Sequence, residues 1–201
     1  MTSFVLPPEP HGRRDRRVQE LLFDIKDAAL DQLADGRASG VSYRAIAARL
    51  GVSRATLRYH FPSRDDLVDA LVADGFITLE RSLRAALDRV RDAPLAQRWT
   101  TLAHAYRRWA LRHPRHYGVL QHVRAGTGPD RVERVFVEIA PDRPGRDGVA
   151  ATVHARLRCA VLRELDARAR GEVGDHDERF DGEVRELARV LDGDAPPPHA
   201  G

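Results

Sequence analysis

Residues 42–71 read SYRAIAARLGVSRATLRYHFPSRDDLVDAL, and the rest of the chain is organised around them. Ile46, Ala47 and Leu50 recur at helical spacing before Gly51, and Val52 and Leu57 resume that spacing after it. Two short helices pinched at a glycine make a helix-turn-helix pattern. Ser42 and Ser53 stand where N-caps are needed, because a hydroxyl oxygen can accept an orphan N–H of the first turn. Gly51 can take the positive φ that a tight turn between helices demands. Leu57 and Phe61 lie one turn apart and face inward with Val52, which leaves Arg54, Ala55 and Arg58 facing out. A small, basic outer face suits a helix that enters the major groove of DNA.

Charge follows the motif. From Gly36 to Arg64 there are six arginines (37, 44, 49, 54, 58 and 64) and no acidic residue. Residues 1–64 carry a formal charge of +4 and the remainder −1, so the basic surplus sits where the helix-turn-helix sits. Individually, arginines on a small domain can equally serve to solvate it; the coincidence of tract and motif favours contact with nucleic acid.

The segment from Gly51 to Leu67 resembles the recognition helix and following turn of the TetR family of bacterial transcriptional repressors. Gly51, Val52, Ser53, Arg54, Thr56, Leu57, His60, Phe61, Ser63, Arg64, Asp65 and Leu67 carry the likeness, while Arg58 stands where that family usually has a tyrosine. The resemblance implies an all-α protein: a helix-turn-helix head on a larger helical body for ligand binding and dimerisation. It also implies DNA contacts from Ser42, Arg44, Ser53, Arg54, Ala55, Thr56, Arg58, Tyr59, His60 and Arg64. Either Arg58, as a cation, or Tyr59 takes over the backbone contact of the missing tyrosine.

The 201 residues, with 42% hydrophobic and 31% charged content, suffice for a small head and a larger body. A single cysteine, Cys159, excludes an intrachain disulfide and fits a reducing cytoplasm. No apolar run approaches the ~18 residues of a membrane span, and no signal-peptide core opens the chain. Residues 1–12, with three prolines, are expected to form a flexible arm, 13–62 the head, 63–192 the body and 193–201 a disordered tail. Val18, Leu21, Leu22, Ile25, Ala28, Ala29 and Leu33 predict a first helix ending near Gly36.

Ser63 and Asp66 form a capping-box variant that starts a helix expected to run to about Asp92, through Leu67, Leu71, Val72, Phe76, Leu79, Leu83, Leu87 and Val90. Gly75 lies inside it at a cost of about 1 kcal/mol against alanine; close packing against a neighbour is the favoured reading, and a bend that lets the helix swing is the other. The next helix opens at Pro94, with Leu95, Trp99, Leu102, Tyr106 and Trp109 on one stripe and Arg98, Arg107 and Arg108 on the other faces. The stripe reads as core; the resemblance implies that a ligand cavity lies here, between Phe76, Leu79 and Leu83 on one helix and Trp99, Leu102, Tyr106 and Trp109 on the other. AGTGPD at 125–130 reads as a turn, 132–139 as a short helix and 141–148 as a loop.

Two amphipathic helices close the chain, one with Val153, Leu157 and Val161 and one with Phe180, Val184 and Leu187. They resemble the pair through which the family dimerises as a four-helix bundle; folding back on the body is the other reading for either. No cofactor is expected. His113, His116 and His122 lack metal-ligand spacing, so no metal is expected either. An enzyme would need a nucleophile, a base and an orienter, whereas the serines fall at caps and the histidines have no evident partners. The expected function is a cytoplasmic, homodimeric, ligand-responsive regulator of double-stranded DNA, most simply a repressor, with a small, largely apolar effector and no membrane partner. The alternative is a ligand-independent architectural or interaction protein that binds DNA with little sequence preference.

Overall fold

The computed structural model describes residues 12–34, 40–121, 129–142 and 144–192. The expected arm and tail, most of the 125–130 turn, Arg37 and His122 lie outside the described residues. Nine helices and no strand occur among those described: α1 (Arg13–Ala34), α2 (Tyr43–Leu50), α3 (Arg54–His60), α4 (Arg64–Asp88), α5 (Leu95–Arg112), α6 (Pro114–Leu120), α7 (Pro129–Ile139), α8 (Arg146–Ala169) and α9 (His176–Asp192). The chain divides into two compact units, residues 1–71 and 72–201, so that α4 runs from one into the other.

In the first unit Ile25, Ala28, Ala29 and Leu30 of α1 are buried with Ile46, Ala47, Leu57, Phe61, Leu67 and Leu71. The anticipated stripe on α1 is thus displaced: Val18, Leu21, Leu22 and Leu33 are only half-buried, while Leu30 and Gln32 are buried. Gln32 is inside because its Oε1 accepts the backbone N–H of Ser42 at 2.6 Å, tying α1 to the start of α2.

In the second unit α5 packs against α6, α7, α8 and α9. Trp99, Leu102, Tyr106 and Trp109 are buried along it, and the Trp99 indole N–H donates to the Val184 carbonyl of α9 at 2.8 Å. Tyr106, Tyr117, Phe136 and His154 meet edge-on or tilted at 4.7–6.2 Å between ring centres. Arg107 does not take a solvent face. It is buried, with Nε and Nη2 on the two Glu164 oxygens at 2.6 and 2.8 Å, Nη2 also on Asp177 at 2.5 Å, and its guanidinium 4.8 Å from the centre of the Phe180 ring. Burial alone raises the Glu164 pKa, but hydrogen bonds from Arg107 and Arg168 outweigh it and hold the carboxyl below its ordinary value.

Three expected boundaries move. α4 stops at Asp88, and Val90 lies in successive tight turns, with its N–H on the Leu87 carbonyl and its own carbonyl accepting from Ala93; Pro94 disfavours helix at the residue before it. α7 begins at Pro129, taking the last two residues of the anticipated turn, since proline suits the first helical position. α8 begins at Arg146 inside the anticipated loop, because Gly145 caps it at φ 82°. Gly75 is a close approach: a Cβ there would lie 2.9 Å from Leu120 Cδ2.

Candidate nucleic-acid interface

The local chemistry of the quoted stretch forms as its residues dictate. Ser42 Oγ accepts the Ala45 N–H at 3.4 Å, and Ser53 Oγ accepts the Thr56 N–H at 3.0 Å and meets the Thr56 hydroxyl at 2.9 Å. Gly51 adopts φ 66°, ψ 28°, and its N–H closes α2 on Ala47. No heavy atom lies within 4 Å of a Cβ built at Gly51, so the backbone angle alone accounts for glycine there. Ser63 and Asp66 complete the capping box: the Ser63 N–H donates to Asp66 Oδ2 at 2.8 Å and the Asp66 N–H to Ser63 Oγ at 3.1 Å.

This scaffold turns one face of α3 outward. Leu57 is fully buried, Thr56 and His60 are half-buried, and Ser53, Arg54, Ala55, Arg58 and Tyr59 are exposed. Tyr59 is 83% exposed and meets the edge of His60, at 5.0 Å between ring centres. An exposed large aromatic residue on a basic helix leaves its ring face open to contact.

Beside α3 a cleft of about 200 Å³ is lined by Ser42, Tyr43, Arg44, Arg54, Arg58, Pro62, Ser63 and Arg64. It unites five of the ten sequence-expected residues: Ser42, Arg44, Arg54, Arg58 and Arg64. The other five, Ser53, Ala55, Thr56, Tyr59 and His60, do not line it. Four guanidiniums surround this space with no carboxylate in its lining, a geometry suited to a phosphate oxygen.

The floor of the cleft was not anticipated. Tyr43 is buried, and its hydroxyl donates towards the carbonyls of Phe61 at 2.8 Å and Ser63 at 2.5 Å, pinning the link between α3 and α4 to α2. Burial, with Asp66 adding to it and Arg58 and Arg64 opposing, raises its pKa, so it stays a neutral donor. The available signal was a bulky amphipathic residue in the first helical position directly after a cap. Arg49, by contrast, reaches Asp31 at 2.6 Å and Asp27 at 3.9 Å on α1, so this member of the acid-free tract holds the head together.

The remaining expected sites lie in the second unit. Phe76, Leu79, Leu83, Trp99, Leu102, Tyr106 and Trp109 are all buried. Val153, Leu157, Val161, Phe180, Val184 and Leu187 are buried within the single chain as well, where α8 and α9 pack on each other and on α5. A side chain covered in this way has no surface left to offer a second copy. Among the described residues no three His, Cys, Asp or Glu side chains are grouped to hold a metal ion, and no helix is long and apolar enough to cross a membrane.

The fold and this surface define an all-helical protein whose helix-turn-helix head presents a basic recognition helix. Residues 25–71 match the family model for bacterial regulatory proteins of the tetR family, so it is the head that carries the likeness to that family. The HTH-type transcriptional regulators Rv1816 of Mycobacterium tuberculosis and Mb1846 of Mycobacterium bovis are each 37% identical over 113 residues, 54% of this chain and 46% of theirs. The match thus spans just under half the length of these curated relatives. The crystal structure of SCO4313 is 28% identical, covering 88% of this chain and 98% of that one with a TM-score of 0.69. A TetR-like transcriptional regulator from Rhodococcus sp. RHA1 shares the fold at 19% identity, with 86% and 96% coverage and a TM-score of 0.64.

Proposed function

We propose that the chain is a transcriptional regulator that binds a pseudo-palindromic operator as a homodimer and acts as a repressor, released by a small, largely apolar molecule. The observation that carries the reading is the exposed, basic outer face of α3 beside the four-arginine cleft. On this reading Arg54, Ala55 and Thr56 address base edges, and Ser42, Arg44, Arg58, Tyr59, His60 and Arg64 hold phosphates. Arg58, within the cleft, takes the backbone role as a cation; Tyr59 reaches the neighbouring phosphate or a thymine methyl. Ser53 serves mainly as the cap that orients α3.

A single seven-residue recognition helix reads few base pairs, so a two-fold dimer supplies the second half-site. We assign the dimer face to the outward side of α8, where Ala151, Ala155 and Cys159 are exposed and Leu162 is half-buried. The effector would enter between α4 and α5, among Phe76, Leu79, Leu83, Trp99, Leu102, Tyr106 and Trp109. Since those side chains are packed, entry requires them to part, which couples ligand to the course of α4.

The test is retardation of the DNA flanking the coding region, titrated with salt and with excess nonspecific competitor. A band that survives competitor with two protomers per site supports the reading. Binding that disappears with competitor, at every flanking site tried, favours the architectural alternative.

A further inference from the structure

Arg98, half-buried near the start of α5, has its Nε shut off from solvent with no hydrogen-bond partner among the described residues. A guanidinium N–H stripped of water without an acceptor is costly. Arg98 opens on a cleft of about 310 Å³, walled by Arg84, Leu87 and Asp88 at the end of α4, by Arg91, and by Glu138 and Ile139 at the end of α7.

The charges in this wall are unequally matched. Glu138 accepts both Nη groups of Arg84, at 2.8 and 3.0 Å, and Asp88 accepts Arg91 Nη2 at 2.9 Å. Arg84 Nε also meets Glu80 at 2.9 Å, so among the described residues Arg84 and Arg91 each have a carboxylate and Arg98 is the guanidinium of this wall left without one. Leu87 and buried Ile139 supply an apolar surface within the same cleft. A cation would meet the unpaired Arg98 guanidinium, and a neutral apolar molecule would leave that charge without a counterion. A phosphate would set charged oxygens against Leu87 and Ile139.

We propose that this cleft binds a small carboxylate with an apolar body, its oxygens on the Arg98 guanidinium and its carbons against Leu87 and Ile139. The volume suits a molecule of that size. The site is distinct from the α4–α5 core named for the effector and from the basic face of the head, and its occupancy does not rest on the DNA-binding reading.

Calorimetry and thermal melting of the full chain at neutral pH, with hexanoate and benzoate as probes and acetate, hexanol and inorganic phosphate as comparisons, test it. Hexanoate and benzoate should release heat and raise the melting midpoint, acetate should bind more weakly, and hexanol and phosphate should do neither. Arg98→Met should weaken hexanoate about tenfold to a hundredfold, the usual worth of a charged hydrogen bond, and should keep the unliganded midpoint because it removes the orphaned atom. Leu87→Ser should erase the preference for hexanoate over acetate while leaving the charge in place. Failure of both acids to bind, equal response to hexanol or phosphate, or unchanged binding by Arg98→Met would each overturn the proposal.

Discussion

Arg54 and Arg58 project from the same helix into the same cleft, yet they are assigned different work, and a pair of substitutions separates them. Arg58→Ala should weaken binding to specific and nonspecific DNA alike and lower the salt slope by about one unit, as loss of one phosphate contact does. Arg54→Ala should instead cost about 1–3 kcal/mol on the operator and relax preference at one position of each half-site. Titrations at several salt concentrations on operator and scrambled duplexes decide it; equal loss on both duplexes for both variants would refute the division.

His154 gives a residue-scale prediction in the body. Burial, reinforced by the positive charge of Arg158, lowers its pKa from 6.5 to about 4. The ring stays neutral in the folded state between those values, whereas the unfolded chain takes up the proton. Stability from this group is therefore complete above pH 6.5 and is lost as pH falls towards 4, by on the order of 3 kcal/mol. Denaturant unfolding from pH 7.5 to 4 should show this decline, and His154→Phe should flatten part of it. An unchanged pH slope in that variant would remove His154 as the cause.

At the scale of elements, two glycines serve opposite needs. Gly51 is required by a left-handed backbone angle in open space, whereas Gly75 is required by a neighbour in ordinary helix. Gly75→Ala gains about 1 kcal/mol of helix propensity, yet it drives a methyl into Leu120, which is buried and has little room to yield. The expected net effect is a loss of about 1 kcal/mol, recovered in Gly75→Ala with Leu120→Val. Chemical denaturation of the two variants measures the balance; a more stable single variant would mean that Leu120 swings aside freely. Had Gly75 been a swivel for α4, open space would surround its Cβ, and it does not.

At the scale of the molecule, the buried Arg107 joins α5, α8 and α9 through Glu164 and Asp177. Asp177 is largely exposed, so Glu164 carries most of the pairing. Arg107→Met strands the Glu164 carboxylate and should cost about 3–5 kcal/mol, while Arg107→Met with Glu164→Leu should recover most of it, since an apolar pair of similar volume often replaces a buried ion pair without loss. Unfolding midpoints of the two variants give the answer; a double variant no better than the single would show that the pair is needed beyond its charges. Sealing α8 and α9 onto α5 in this way turns their strongest apolar stripes inward.

What the sequence determined by itself is whatever depends on neighbours within about four residues. Ser42, Gly51, Ser53, Ser63 and Asp66 could be read as caps and turn because their partners lie in the same turn of chain, and the exposed basic face of α3 followed from helical period. Tertiary structure alone decided the rest. Gln32 and Tyr43 are polar groups whose acceptors or donors lie on other elements, and Arg107 looks solvated on a helical wheel until Glu164, fifty-seven residues away, meets it. The stripes of Val153 and Phe180 illustrate the same limit: periodicity states that a face must be buried, but the hydrophobic effect is non-directional, so it leaves open whether the covering surface belongs to another chain or, as here, to the chain's own body.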